Sequence, residues 1–305
     1  MNTPLDKTLN EDQGSQEAVS AETMERLKDL QLRIQFYNAI ASNNHELVDK
    51  MLKGYPHLLE ATLLEDEINL SYQMEKMDKN FEIKGPITFG ITPLHYVQDV
   101  KMAEHFISLG ADVKAKDVNG QTPLHHAIID DNVEMAKLLH KHDPDGLTRP
   151  DVYGNTPVTD AIALGHLEVL KSFALSKNDF NAQNNKGNTG LHELMSADRY
   201  IASADDMKKM FTYVKDMGGH INIRNDEGKT PLDILDENIK KETDETRKKE
   251  LMGLRKVMVE KGCVSGKKIG HVATNTTLRG NSYDITAGEK EGRTTPQGRT
   301  DTRQV

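Results

Sequence analysis

The sequence predicts an all-α solenoid made of stacked helix–turn–helix repeats, and three observations carry that prediction. A short phrase recurs five times: Thr92-Pro93-Leu94-His95, Thr122-Pro123-Leu124-His125, Thr156-Pro157-Val158-Thr159, Thr189-Gly190-Leu191-His192 and Thr230-Pro231-Leu232-Asp233, its threonines 30, 34, 33 and 41 apart. A glycine stands two residues before each threonine, at Gly90, Gly120, Gly154, Gly187 and Gly228. Between these phrases the apolar residues return at helical spacing, in a chain that is 29% charged, 36% hydrophobic and free of tryptophan.

The elements follow in order. Residues 24–53 match the two-helix part of a repeat without its opening phrase, with Phe36, Ala39 and Ile40 facing inward from the first helix and Leu47, Val48, Met51 and Leu52 from the second. A terminal repeat with a polar outer face is what a stack needs to stay soluble. Residues 61–89 form an insertion, read as containing an extended hairpin around Phe81–Phe89. Within each repeat, threonine suits the N-cap and proline the first helical position, where its missing N–H would have had no partner. Leu124, Ala127 and Ile128 then share a face, and Val133, Met135, Ala136, Leu138 and Leu139 form a second amphipathic helix. Gly110 sits where a left-handed residue ends a helix, and tetrads such as Asp117–Gly120 and Asp151–Gly154 read as tight turns. The fifth repeat carries about eight extra residues near "SADRYIASADD", and the sixth, Thr230 to Gly262, runs roughly eleven beyond the pattern. That last excess falls in "ENIKKETDETRKKE", which is expected to lengthen the helices.

These copies resemble the ankyrin repeat, whose period is about 33 residues. Asp151–Asn184 follows the family pattern almost position by position. The resemblance implies an ankyrin-repeat domain over residues 24–263, with six repeats of which the first and sixth are caps and with turn or hairpin tips between helix pairs. It further implies that the histidines of the phrase hydrogen-bond across the turn and between neighbouring repeats. Partners of such proteins usually bind the concave face. Carried onto matching positions, that face includes Val118, Asn119, Gln121, Ile129 and Asp130, then Val152, Tyr153, Asn155 and Leu164. Asn185, Lys186 and Asn188 continue it, and Asp226, Glu227 and Lys229 close it. Val152 and Tyr153 stand out, because an aromatic on an exposed turn buries much area at little entropic cost when a partner arrives.

Charge and composition narrow the function. Residues 1–23 hold five acids and one lysine, residues 264–305 seven bases and four acids, which leaves −8 of the total −9 on the body between them. Both ends are expected to be disordered, being poor in apolar residues. An acidic body repels phosphate backbones, so nucleic acid is not an expected partner. No apolar run approaches the roughly 20 residues that span a bilayer, and the N-terminus shows neither the basic nor the apolar region of a secretory signal. Cys263 is the lone cysteine, which rules out an internal disulfide and fits a reducing, cytoplasmic compartment. A monomer is expected.

The stretch "NGQTPLHHAIIDDN" looks most like chemistry, with two adjacent histidines and two adjacent aspartates. Neighbours on a helix point about 100° apart, so His125 and His126 cannot share a metal on one face. Asp130 and Asp131 fall where a helix ends and are read as capping groups, and His140 and His142 as solvated surface. Cys263 has no base beside it and is read as packing under the last repeat. Phosphate-loop, nucleophile-elbow, zinc-protease and kinase motifs are all absent from the sequence. Neither catalysis, metal nor cofactor is expected.

The leading reading is a non-enzymatic adaptor that binds a protein through the concave groove. Its layout, a repeat body with a polar C-terminal tail containing Glu289-Lys290-Glu291, is similar to that of ankyrin effectors which bacteria deliver into host cytoplasm by type IV secretion. Two alternatives stay open: a small-molecule or catalytic site formed by the 61–89 insertion over the groove, and a transcription-linked adaptor whose basic tail touches nucleic acid.

Overall fold

A computed structural model describes residues 21–63, 90–196 and 202–266, with side chains from residue 25 onward. The predicted hairpin in 61–89, the extra residues at 197–201 and both terminal tails lie largely outside the described residues. Among the described residues there are no strands, and twelve α-helices fall into six pairs. They are α1 (Ala21–Ala41) with α2 (His45–Gly54), α3 (Pro93–Tyr96) with α4 (Val100–Ser108), and α5 (Pro123–Ile129) with α6 (Val133–His142). After them come α7 (Pro157–Leu164) with α8 (Leu167–Lys171), α9 (Gly190–Ser196) with α10 (Ala204–Asp216), and α11 (Pro231–Lys241) with α12 (Glu245–Glu260). The odd-numbered helices pack in sequence to form an inner layer, and the even-numbered ones stack behind them. One apolar core runs through the repeats from Phe36 to Cys263.

The recurring phrase builds each inner helix. Thr92, Thr122, Thr156 and Thr230 are extended N-caps followed by proline. In His95, His125 and His192 the ring Nδ1 accepts the N–H of the threonine three residues earlier, at 3.1, 3.1 and 3.0 Å. An accepting Nδ1 leaves the proton of a neutral ring on Nε2, which then serves as a donor. His95 Nε2 lies 3.1 Å from the Gln121 carbonyl and His192 Nε2 3.0 Å from that of Lys229, each in the next repeat. His125 Nε2 faces the equivalent Asn155 carbonyl but falls short of a hydrogen bond. Burial keeps these rings neutral: it lowers His95 and His125 to about 4 and shifts His192 in the same direction.

The spacing of 30 between the first two threonines has a structural cause. Helix α3 is a single turn of 4 residues, whereas α5 has 7 and α7 has 8. The excess of the sixth repeat lies in α11 and α12, of 11 and 16 residues. Ahead of the short α3, α1 carries a second apolar cluster of Leu30, Ile34, Tyr37, Leu63 and Ile91. The Tyr37 hydroxyl lies 2.7 Å from the carbonyls of both Ala61 and Ile91, and Gly90 N–H donates to Leu63. The chain therefore leaves for residues 64–89 and returns at one stapled point.

Two expectations need correction. Leu47 is exposed, because the inward stripe of α2 is Val48, Met51 and Leu52 and Leu47 sits about 100° to one side of Val48. His140 is half-buried and not freely solvated: its ring meets Phe173 edge-on at 5.1 Å, and its Nδ1 is buried without a hydrogen-bond partner. Asp130 does cap α5, with Asp131 in the left-handed region at φ 53°, the place taken by Gly165 after α7. Cys263 is buried and its thiol is pushed up to about 12 by desolvation, an unreactive state.

Candidate interaction groove

Four turn tips, at residues 117–121, 151–155, 184–188 and 225–229, repeat one construction. The first side chain of each, Asp117, Asp151, Asn184 or Asn225, turns its Oδ1 back onto the N–H groups two and four residues on, at 2.8–3.1 Å. Successive tips join through the backbone: Val152 N–H donates to Asn119, Asn185 to Tyr153 and Asp226 to Lys186. Glycine closes each tip with a positive φ, and at Gly120, Gly154 and Gly187 the next tip also crowds the space a side chain would need. Gly120 has φ +74°, and a Cβ there would lie 3.0 Å from Val152 Cγ1, so the next tip's valine occupies the space that glycine leaves.

With the frame fixed in this way, two positions per tip are free to vary. They read Val118-Asn119, Val152-Tyr153, Asn185-Lys186 and Asp226-Glu227, passing from apolar through polar to acidic. Val118, Val152 and Tyr153 are 50%, 54% and 58% exposed. Asn185, Lys186, Asp226 and Glu227 are exposed as well, as are Ile129 and Asp130 at the end of α5. Asn119, Gln121, Asn155, Leu164, Asn188 and Lys229 are half-buried, with Lys229 held between Glu227 at 2.8 Å and Glu237 at 2.9 Å. Those two carboxylates raise the Lys229 ammonium above the usual lysine range.

Behind the tips runs a row at the fourth residue after each threonine: Tyr96, His126, Asp160, Glu193 and Ile234. His126 Nε2 meets Asp117 Oδ2 at 3.0 Å. Burial pushes Asp117 up, but the bond to His126 and the amides of Gln121 and Asn119 outweigh it and hold the carboxyl below its usual range. Asp160 is different. Its Oδ2 is buried with no hydrogen-bond partner, and burial, then Asp151 and Glu193, push the carboxyl up to about 7. Glu193 Oε1 instead accepts from Asn184 and Asn188, both at 2.9 Å. That amide network extends to Asn155 and Asn225.

Where α3 stops short, a cleft of about 710 Å³ opens between α1, α3 and α5, lined by Ile40, Asn43, Tyr96, Gln98, Asp99 and Asp130 among others. Its polar groups are committed to the frame. Gln98 donates to Asp130 at 2.7 Å, Asp99 caps α4 through Met102 N–H, and His95 and His126 have the partners given above. Sequence reasoning placed Asp130 on this face but missed Tyr96, Gln98, His126, Asp160 and Glu193. The signals were present: the threonine spacing of 30 marks the missing helical turn, and a fixed offset from each threonine marks the row.

Comparison with known proteins agrees with this architecture. A model of ankyrin repeats (3 copies) matches residues 94–186. A putative ankyrin repeat protein of fowlpox virus is 26% identical over 183 residues, covering 55% of this chain and 92% of the viral protein. The mouse mitochondrial liver isoform of glutaminase is 28% identical over 106 residues, which are 34% of this chain and 18% of the glutaminase. Human SH3 and multiple ankyrin repeat domains protein 2 is 24% identical over 210 residues, 62% of this chain and 11% of that protein. The chain thus spans less than a fifth of the glutaminase and of the human protein.

Proposed function

Since the chain is an ankyrin-repeat protein, we propose that it is a non-enzymatic adaptor binding a protein partner across the groove formed by its tips and inner helices. The observation that carries this reading is the exposure of Val118, Val152 and Tyr153 on tips joined to one another by backbone hydrogen bonds. Exposed apolar side chains on a rigid frame lose little entropy when covered, the economy expected of a binding surface. Two further features support it. The free tip positions vary in chemistry while the frame does not, and the polar groups of the cleft are engaged in structure instead of converging on a vacant point. Among the described residues no helix is long and apolar enough to cross a membrane.

The test is affinity purification of the full chain and of its Val152→Ala/Tyr153→Ala variant from a candidate cytosol. Loss of co-purifying proteins with the variant supports the groove; an unchanged set sinks it. The layout of a repeat body with a polar tail further supports a bacterial effector working as a monomer in host cytoplasm after type IV secretion. A translocation reporter fused to the chain, with and without residues 264–305, tests that part, and equal translocation of the two fusions counts against the tail as signal.

A further inference from the structure

Resting on the groove reading above, we infer that the occupant is a basic, apolar-spaced peptide segment of a partner protein, with an arginine or lysine side chain set between Asp160 and Glu193 and a neighbouring apolar side chain against Val152 and Tyr153. Three observations converge on that chemistry. The inner face from α5 to α11 presents Asp130, Asp160, Glu193, Asp226, Glu227 and Glu237 against Lys186 and Lys229, and Lys229 is already neutralised by Glu227 and Glu237. An excess of acid on a groove steers and orients a cationic segment. Second, Asp160 and Glu193 occupy the same position of adjacent repeats, and burial, Asp151 and Glu193 together raise the cost of ionising Asp160, whose Oδ2 is enclosed without a hydrogen-bond partner. The residue as a whole is half-buried although Oδ2 is enclosed, so a long cationic side chain would approach it from its exposed side.

The third observation concerns order. Glu193 is held by two asparagine amides, so it waits in place for a cation and needs no ordering on binding. A cationic side chain lying against this pair of acids would offset the repulsion that Asp151 and Glu193 exert on Asp160. A phosphate or a nucleic-acid backbone would meet a face of its own sign. The apolar requirement comes from the tip of the same repeat, where Val152 and Tyr153 are the two free positions.

The probe is a fluorescein-labelled ten-residue peptide alternating arginine and leucine, titrated by anisotropy into the full chain, beside a control with glutamate in place of arginine. The arginine peptide is expected to bind and the glutamate peptide not to. Asp160→Asn and Glu193→Gln should each weaken binding by about tenfold, as expected for a desolvated charge pair. Tyr153→Ala should weaken it several-fold, and Asp205→Asn on α10 should leave it unchanged. Because only the carboxylate form of Asp160 pairs with a cation, affinity should rise from pH 6 to pH 8. Melting curves of each variant guard against misfolding. Equal binding of the two peptides, or binding that survives the Asp160→Asn/Glu193→Gln double change, overturns the inference. So does tighter binding of a peptide carrying residues 264–305, which would assign the site to this chain's own tail. If the arginine peptide fails while Val152→Ala/Tyr153→Ala still loses its partners, the basic-peptide inference falls and the groove reading stands.

Discussion

The turns that open α9 and α11 share a backbone but carry opposite hydrogen-bond polarity. In the fifth repeat His192 accepts from Thr189 through Nδ1 and reaches the Lys229 carbonyl of the next repeat through Nε2. In the sixth repeat the same position is Asp233, whose carboxylate accepts from Thr230 on one side and from Ser265 and Gly266 N–H on the other. The His192 imidazole passes a hydrogen bond on to the following repeat, whereas the Asp233 carboxylate receives them from Ser265 and Gly266. Residues 263–266 lie along the last repeat where a seventh would begin, with Val264 bonded to Asn222 and to the Thr230 hydroxyl. One substitution in a repeated phrase thus reverses the hydrogen-bond polarity of the turn in the sixth repeat.

The largest effect expected from this contrast is in acid. His95 and His125 have folded pKa values near 4 against 6.5 for the free side chain. The unfolded chain therefore binds more protons between those values, and stability falls as pH drops from about 6.5 to 4, by about 3 kcal/mol for each ring. Asp233 is pulled the other way from its turn-mates. Burial raises it, but Ser265, Thr230 and Gly266 outweigh burial and hold it below 3.8, so its contribution persists until pH falls below the ordinary aspartate range. Urea midpoints against pH, with hydrogen exchange at Thr92 and Gly266 N–H, should show the inner turns failing first. Simultaneous loss would break the comparison.

Next comes Asp233→Ala, which strips acceptors from Thr230, Ser265 and Gly266 and is expected to cost about 2–3 kcal/mol. Cys263 thiol labelling should accelerate as its segment detaches. Asp233→His sharpens the point, since an Nε2 donor would face the Gly266 donor; a variant as stable as the parent would refute the polarity argument. Asp160→Asn works with the opposite sign. Its folded pKa near 7 means that stability falls as pH rises from about 4 to 7, so the amide should stabilise the protein at pH 8 by about 1–3 kcal/mol and change little at pH 4. The smallest effect belongs to Tyr153→Ala, within about 0.5 kcal/mol of the parent in melting experiments, because an exposed side chain contributes little to folding.

The repeat was legible wherever residue chemistry and local geometry coincide. Threonine before proline caps a helix whatever surrounds it, an aspartate three residues before a glycine bends its own turn, and apolar spacing of 3.6 gives each helix a buried side. Those local rules predicted α5 and α6 closely and placed Cys263 under the last repeat. They misjudged Leu47, where a hydrophobic residue next to the stripe looked like part of it, and His140, which is covered by Phe173 from a different repeat. Phe173 stands a full repeat away from His140 in the sequence.

By itself, then, the sequence determined the repeat, its number of copies and the position of each turn tip, because each depends on contacts within about one repeat length. Only the tertiary structure decided which tip positions are left free and what they face. The pairing of Asp160 with Glu193, the space over Gly120 that Val152 fills and the cleft left by a one-turn α3 arise between repeats. Burial and charge act through space, and residues about 33 apart in sequence become neighbours only once the repeats stack.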